Sequence, residues 1–150
     1  MSYKDWKKAT ISAGKKFNHG TTSKDNVKCI LRNGILPNKS NLGSCTMGCG
    51  LYVNEGDDPN LVEDGSSYMI VFQTNQNIDG YEVSIADYSA GDKDSNVNAD
   101  YMKFLNNSDF YMMGSDYVFH PRANGKIDVV KVVDLNTKLD YTKQQFLQLP

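Results

Sequence analysis

Tyr68-Met69-Ile70-Val71-Phe72-Gln73-Thr74 is a continuous apolar run of strand length, and it constrains the fold more than any other segment. Side chains alternate between the two faces of a strand, so a half-exposed strand carries polar residues at every second position. This run is apolar at both phases, which predicts a central strand buried on both faces. A chain of 150 residues needs only one hydrophobic core to enclose it, and a single domain is expected over 1–150.

The elements around that strand follow from local signals. Ser23 to Asn33 reads as a helix. Ser23 is an N-cap type, Asp25 sits in the first turn, Val27, Ile30 and Leu31 fall on one face, and Gly34 supplies the stop. Ile35-Leu36-Pro37 then predicts an extended exit, because the residue before proline avoids helical backbone. Phe17-Asn18-His19-Gly20 reads as a short strand, and Gly50-Leu51-Tyr52-Val53 as another, closing a polar loop that contains Gly43 and Gly48. Asn54 to Ser67 is acidic and turn-rich, a surface loop by composition. Asn75 to Asn107 reads mostly as loop, with a helical turn or two over Ala99 to Leu105. Phe110-Tyr111-Met112-Met113, Tyr117-Val118-Phe119-His120 and Ile127 to Leu135 read as strands, and Asn124-Gly125 is a turn dipeptide between the last two. A short helix is expected at each end, within residues 1–16, docked through Trp6, Ala9 and Ile11, and within Thr137 to Pro150. Strands outnumber helices, so the fold class is α+β with mixed or antiparallel sheets.

Charge and cysteine content remove several functions. Lys and Arg number 16 against 18 Asp and Glu, a net charge of −2 that lacks the electrostatic footprint of a duplex-binding protein. No apolar run approaches the roughly 18 residues of a membrane span, so no membrane partner is expected. The amino terminus carries lysines without a following apolar stretch, so no secretory leader is expected. Cys29, Cys45 and Cys49 are an odd count, and Cys45 and Cys49 have no second pair of metal-type ligands near them. Neither a disulfide framework nor a metal site is expected, and the cysteines are expected to be reduced, as in an intracellular compartment.

Only His19 and His120 are available for histidine chemistry. His19 ends a strand in His19-Gly20-Thr21-Thr22, where a side chain projects from a rigid element and Gly20 lets a ligand approach the backbone. A lone histidine in such a place ordinarily caps a loop, and a lone tyrosine such as Tyr52 ordinarily packs. Their order and contexts say more. His19-Gly20-Thr21, the helix ending Arg32-Asn33-Gly34-Ile35, Gly50-Leu51-Tyr52-Val53, and Ser115-Asp116-Tyr117-Val118-Phe119 together resemble the NAD-binding core of the ADP-ribosyltransferases. The likeness is to the diphtheria-toxin-like and poly(ADP-ribose)-polymerase-like groups and spans about residues 17–135.

That resemblance implies two small mixed or antiparallel sheets forming a split β-sandwich around an NAD cleft. It implies NAD⁺ as co-substrate, no metal, and transfer of ADP-ribose to a macromolecular acceptor, a protein before a nucleic acid, by a monomer of toxin or effector type. By the same resemblance His19 hydrogen-bonds ribose hydroxyls and Gly20 grips the nicotinamide carboxamide through its backbone. Thr21 lies beside them, Tyr52 stacks on the pyridinium, and Asp116 polarises the ribose 2′-hydroxyl and faces the developing oxocarbenium charge. Ser66, Ser67 and Tyr68 are the nearest candidates for the serine and second aromatic that the family carries after its tyrosine strand. Asp116 stands where glutamate is usual, about 1.5 Å short, a distance on which positioning depends. An NAD⁺ glycohydrolase and a catalytically degenerate NAD or ADP-ribose binder are the alternatives, with an RNA 2′-phosphotransferase behind them, since few cations beyond Arg32 and Arg122 stand ready for phosphate. His120, four residues beyond Asp116, would share its face in a regular strand and line the same cleft.

Overall fold

The computed structural model describes residues 7–36, 50–62, 64–82 and 107–150. The helix over residues 24–33 forms as its signals predict. α1 (Lys24–Asn33) starts with the Ser23 hydroxyl accepting the Asn26 N–H at 3.1 Å, and Gly34 closes it at φ 67°, where a side chain would be strained. Val27 and Leu31 are buried against β2 (Lys16–Thr21) and β4 (Tyr68–Thr74). The short carboxy-terminal helix, α2 (Lys143–Leu147), carries a Thr142/Gln145 capping box. Its Phe146 is fully buried, edge-on to Tyr68 and Tyr141 at 5.5 and 5.7 Å.

The remaining strands are β1 (Lys7–Ile11), β3 (Leu51–Glu55), β5 (Ile78–Glu82), β6 (Phe110–Met113), β7 (Asp116–Phe119), β8 (Ile127–Asp134) and β9 (Asp140–Tyr141). All nine form one mixed sheet in the order β1-β5-β6-β7-β3-β2-β4-β8-β9. Among the described residues only β5 and β6 pair in parallel. The α+β class therefore stands, but the two separate sheets expected from the sequence are joined by hydrogen bonds into one. β4 is interior and buried on both faces, as its composition requires. Ile70 and Phe72 enter the main core with Phe17 and Val132, while Met69 and Val71 pack with Val133 on the other side. Among the described residues no helix is long and apolar enough to cross a membrane.

Three local expectations are corrected. Residues 7–11 form a strand, not a helix, because Ala9 and Ile11 turn inward while Lys8 and Thr10 face water, a period of two. Residues 78–82 form β5 inside the stretch read as loop. Gly80 there lets β5 approach β6 so closely that a Cβ would stand 2.1 Å from the Phe110 carbonyl oxygen. The acidic segment after Val53 first continues β3 to Glu55, then makes a 3₁₀ turn at Pro59–Leu61. Asn124-Gly125 does turn, with Gly125 at φ 85°, yet β7 and β8 are not hairpin partners. The loop at 38–48 and the helical turn expected at 99–105 lie outside the described residues, as do Trp6, Cys45 and Cys49.

The sheet has a narrow seam. β2 pairs with β4 at six positions but with β3 at only two, Phe17 with Glu55 and Asn18 with Asn54. Beyond Asn18 the two strands part. Packing holds the seam where the ladder does not. Phe17, fully buried, lies edge-on to Tyr117 and Phe119 of β7 at 5.1 and 5.0 Å, reaching past β3 to grip the strand beyond it.

Candidate functional site

Backbone parity decides what faces the seam. The carbonyls of Lys15 and Thr21 accept from Thr74 and Ser67 on the β4 side, whereas the carbonyl of Lys16 accepts from Gly56 on the β3 side. Peptide groups alternate in direction along a strand, so those of Asn18 and Gly20 also face β3. Pairing with β3 ends at Asn18, which leaves the N–H and C=O of Gly20 directed into the opening without a ladder partner.

His19 reaches across that opening. It is 6% exposed, and its Nδ1 lies 2.6 Å from the carbonyl oxygen of Tyr52 on β3. A carbonyl only accepts, so Nδ1 carries the proton and donates. In the neutral ring Nε2 is then the acceptor. Asn18 makes a second crossing lower in the seam. Its Nδ2 donates to the carbonyls of Asn54, Glu55 and Gly56 at 3.3, 3.5 and 3.0 Å. Two side chains thus replace the missing ladder, one on each side of the sheet.

β3 pairs along its length with β7, Tyr52 opposite Val118 and Asn54 opposite Asp116. Cross-strand partners share a face, so Tyr52, Asn54 and Asp116 stand together, and Asn18 and Gly20 join them from β2. His19 emerges on the other face with Phe17 and meets Tyr52 through the gap itself. The three strands carrying His19, Tyr52 and Asp116 are adjacent, in the order β2-β3-β7. Tyr52 is half-buried and Asp116 is exposed at the first position of its strand.

The flanking candidates separate. Thr21 is half-buried, and its hydroxyl accepts from the Asn26 carboxamide at 2.9 Å, which ties it to the start of α1. Ser67 extends the sheet through its backbone, donating to Thr21 and accepting from Leu135. The Tyr68 ring packs on Phe146, on the face away from Asp116. Ser66 comes to Gly20 instead. A Cβ on Gly20 would stand 2.5 Å from its hydroxyl oxygen and 3.2 Å from Val62 Cβ. A side chain at this position would have to displace Ser66 and crowd Val62, whereas the free peptide edge is one that any residue could offer.

His120 does not line the cleft. It is fully buried, its Nδ1 donates to the Ser108 carbonyl at 3.2 Å, and its ring meets Tyr111 edge-on at 4.3 Å. β7 ends at Phe119, so the strand period that would have aligned His120 with Asp116 no longer applies. Burial holds the ring neutral, with its pKa lowered to about 4. Arg122 is half-exposed and its nearest described carboxylate is Asp109, at 3.8 Å, which also accepts from Lys126 at 2.9 Å. The glutamate nearest Asp116 along the strands, Glu55, points to the opposite face. There Tyr117 donates to it at 2.5 Å and Lys15 pairs with it at 2.8 Å, and these two contacts keep its pKa low. Glu55 is committed to the seam and cannot stand in for the short Asp116.

Among the described residues no group of three His, Cys, Asp or Glu side chains could hold a metal. A depression of about 610 Å³ lies between the 57–66 segment and β8, with Ser66 on its rim. Its Lys131 is paired with Asp140 at 3.2 Å, and the lining mixes both charges without a converging set of groups. Asn54 and Asn18 were not distinguished by the sequence. Their relation to Asp116 exists only in the strand register. Set against family models, curated proteins and solved structures, the chain matches none.

Proposed function

We propose that the protein is a mono-ADP-ribosyltransferase, which cleaves the nicotinamide–ribose bond of NAD⁺ and passes ADP-ribose to a macromolecular acceptor. One observation carries the reading. Gly20 turns an unpaired N–H and C=O into the seam, and His19, Tyr52 and Asp116 stand on the three adjacent strands around it. A primary carboxamide needs one donor and one acceptor side by side, which is what a bare strand edge offers. The split β-sandwich around an NAD cleft belongs to the same proposal, with the parting of β2 and β3 as its opening.

The chemistry follows from these groups. The carboxamide of NAD⁺ pairs with the Gly20 backbone, and the Tyr52 ring covers the cationic pyridinium. His19, held to the Tyr52 carbonyl through Nδ1, meets the ribose hydroxyls with its ring. The C1′–N bond breaks with both electrons leaving on nicotinamide, and Asp116 faces the positive charge left on the ribose. The acceptor then adds to C1′ and releases a proton. Where water takes the acceptor's place, the same site is an NAD⁺ glycohydrolase.

A binding-only reading is favoured by one feature, the aspartate at a position where reach matters. Nicotinamide release from NAD⁺, measured with and without cell lysate, tests the assignment. Wild type is expected to release nicotinamide and label a lysate acceptor. Asp116→Ala and His19→Ala should each lower the rate roughly a hundred- to thousandfold, the usual cost of losing one transition-state contact. Tight NAD⁺ binding without release by any form would leave the binding module, and no binding at all would remove both.

A further inference from the structure

The seam carries a polar row that the mechanism above does not use. Asn18, Asn54 and Asp116 are direct cross-strand partners on β2, β3 and β7, so their side chains form one line across one face of the sheet. Tyr52, two residues before Asn54, stands beside that line. Asn18 is 1% exposed and its carboxamide holds the backbone of residues 54–56, which fixes β3 where Asn54 leaves it. The Oδ1 of Asn18 is buried and has no partner, a polar atom kept at the foot of the row. Asn54 itself is half-buried, and its carboxamide makes no hydrogen bond among the described residues.

We propose that Asn54 is a further substrate-contacting residue, whose carboxamide holds the same ribose hydroxyl that Asp116 reaches from β7. The proposal rests on the NAD⁺ reading above. Directly opposed residues in an antiparallel pair have Cβ atoms about 4.5–5.5 Å apart. A hydroxyl oxygen fits between two such side chains, donating its proton to the carboxylate and accepting from the Asn54 Nδ2–H. The second contact fixes the hydroxyl close to a carboxylate that is one methylene short. Asn18 is a positioning residue beneath it, acting through the β3 backbone.

The test pairs a side-chain deletion with a substrate deletion. Nicotinamide release is measured for wild type and Asn54→Ala, using NAD⁺ and its analogue lacking the 2′-hydroxyl on the nicotinamide ribose. Asn54→Ala is expected to lose about tenfold in kcat/KM on NAD⁺ and less than twofold on the analogue, because the contact is already absent there. Equal losses on both substrates, or no loss on NAD⁺, overturn the proposal. Asn54→Asp puts a second carboxylate opposite Asp116, and the acid limb of the pH–rate profile should move to higher pH. An unmoved limb also counts against it. Should wild type release no nicotinamide, the transferase reading falls separately, and calorimetry with NAD⁺ reads Asn54 directly. Unchanged affinity in Asn54→Ala, or no binding by wild type, then overturns the contact.

Discussion

The sheet has two halves that meet at the β2–β3 seam, and they are built differently. On one side β2, β4 and β8 run six to eight residues each and pair at six and seven positions. On the other, β3, β7, β6, β5 and β1 are four or five residues long, and one pairing is parallel. The long half has α1 and α2 over it, and its core mixes Ile70, Val132, Val27 and Leu31 with the rings of Phe17, Phe72 and Phe146. The short half shares that core through Leu51, Val53, Ile78, Phe110 and Phe119, and adds close contacts of its own: Gly80 against the Phe110 backbone, His120 against Tyr111, and Asp109 against Lys126. The groups of the proposed site lie where the long strands meet the short ones. A seam of two residue pairs leaves backbone edges free for a ligand, which a full ladder would have consumed.

The largest effect on this division should come from Phe17→Ala. The ring is fully buried and joins β2 to β7, so its loss is expected to cost about 4 kcal/mol and lower Tm by roughly 8–16 °C. Scanning calorimetry checks the size. Amide exchange should show β3 and β7 losing protection while β4 and β8 keep theirs; equal loss in both halves would mean that the seam is not the weak joint.

Acid should act on the short half next. The His120 ring takes up its proton at about pH 4 in the folded chain against 6.5 when unfolded. Between those values the unfolded state binds more protons, so stability present above pH 6.5 falls as pH drops towards 4. The loss amounts to about 3 kcal/mol, and His120→Phe should flatten that part of the curve. Urea titrations from pH 7 to pH 4 compare the two proteins. A wild-type curve parallel to the variant's would remove His120 as the cause.

Ser23→Ala should be the smallest change and fall on the long half alone. Losing the cap of α1 is expected to cost about 1 kcal/mol, seen as faster exchange in the first turn of the helix, with His120 and the short strands untouched.

The same division separates what was legible from the amino acids. Tyr68 to Thr74 and Ser23 to Gly34 announce themselves because burial and capping act within a few residues of sequence. β1 was hidden by its lysines, whose long chains mask the inward Ala9 and Ile11. β5 was hidden by Gly80, which fits its neighbour by having no side chain to read. At the candidate site, His19, Gly20, Tyr52 and Asp116 were singled out by motif. The partnership of Asn54 with Asp116 depends on register between strands 62 residues apart and leaves no local trace. His120 misled because its spacing from Asp116 mattered only if the strand continued, and β7 ends one residue too early.

Asn124 has a wider consequence. Its carboxamide accepts from the Ile35 N–H at 2.9 Å and donates to the Ile35 carbonyl at 2.8 Å, doing for one residue what a neighbouring strand would do. Fifteen residues later Gly50 is fitted against Val118 and the Phe119 carbonyl, with no room for a Cβ at 2.6 and 2.7 Å. Ile35 and Gly50 are thus each held by contacts of their own, one to the Asn124 side chain and one to β7. Asn124→Ala is therefore expected to free both backbone bonds of Ile35 while Gly50 keeps its place, a local loss that amide exchange at Ile35 would read.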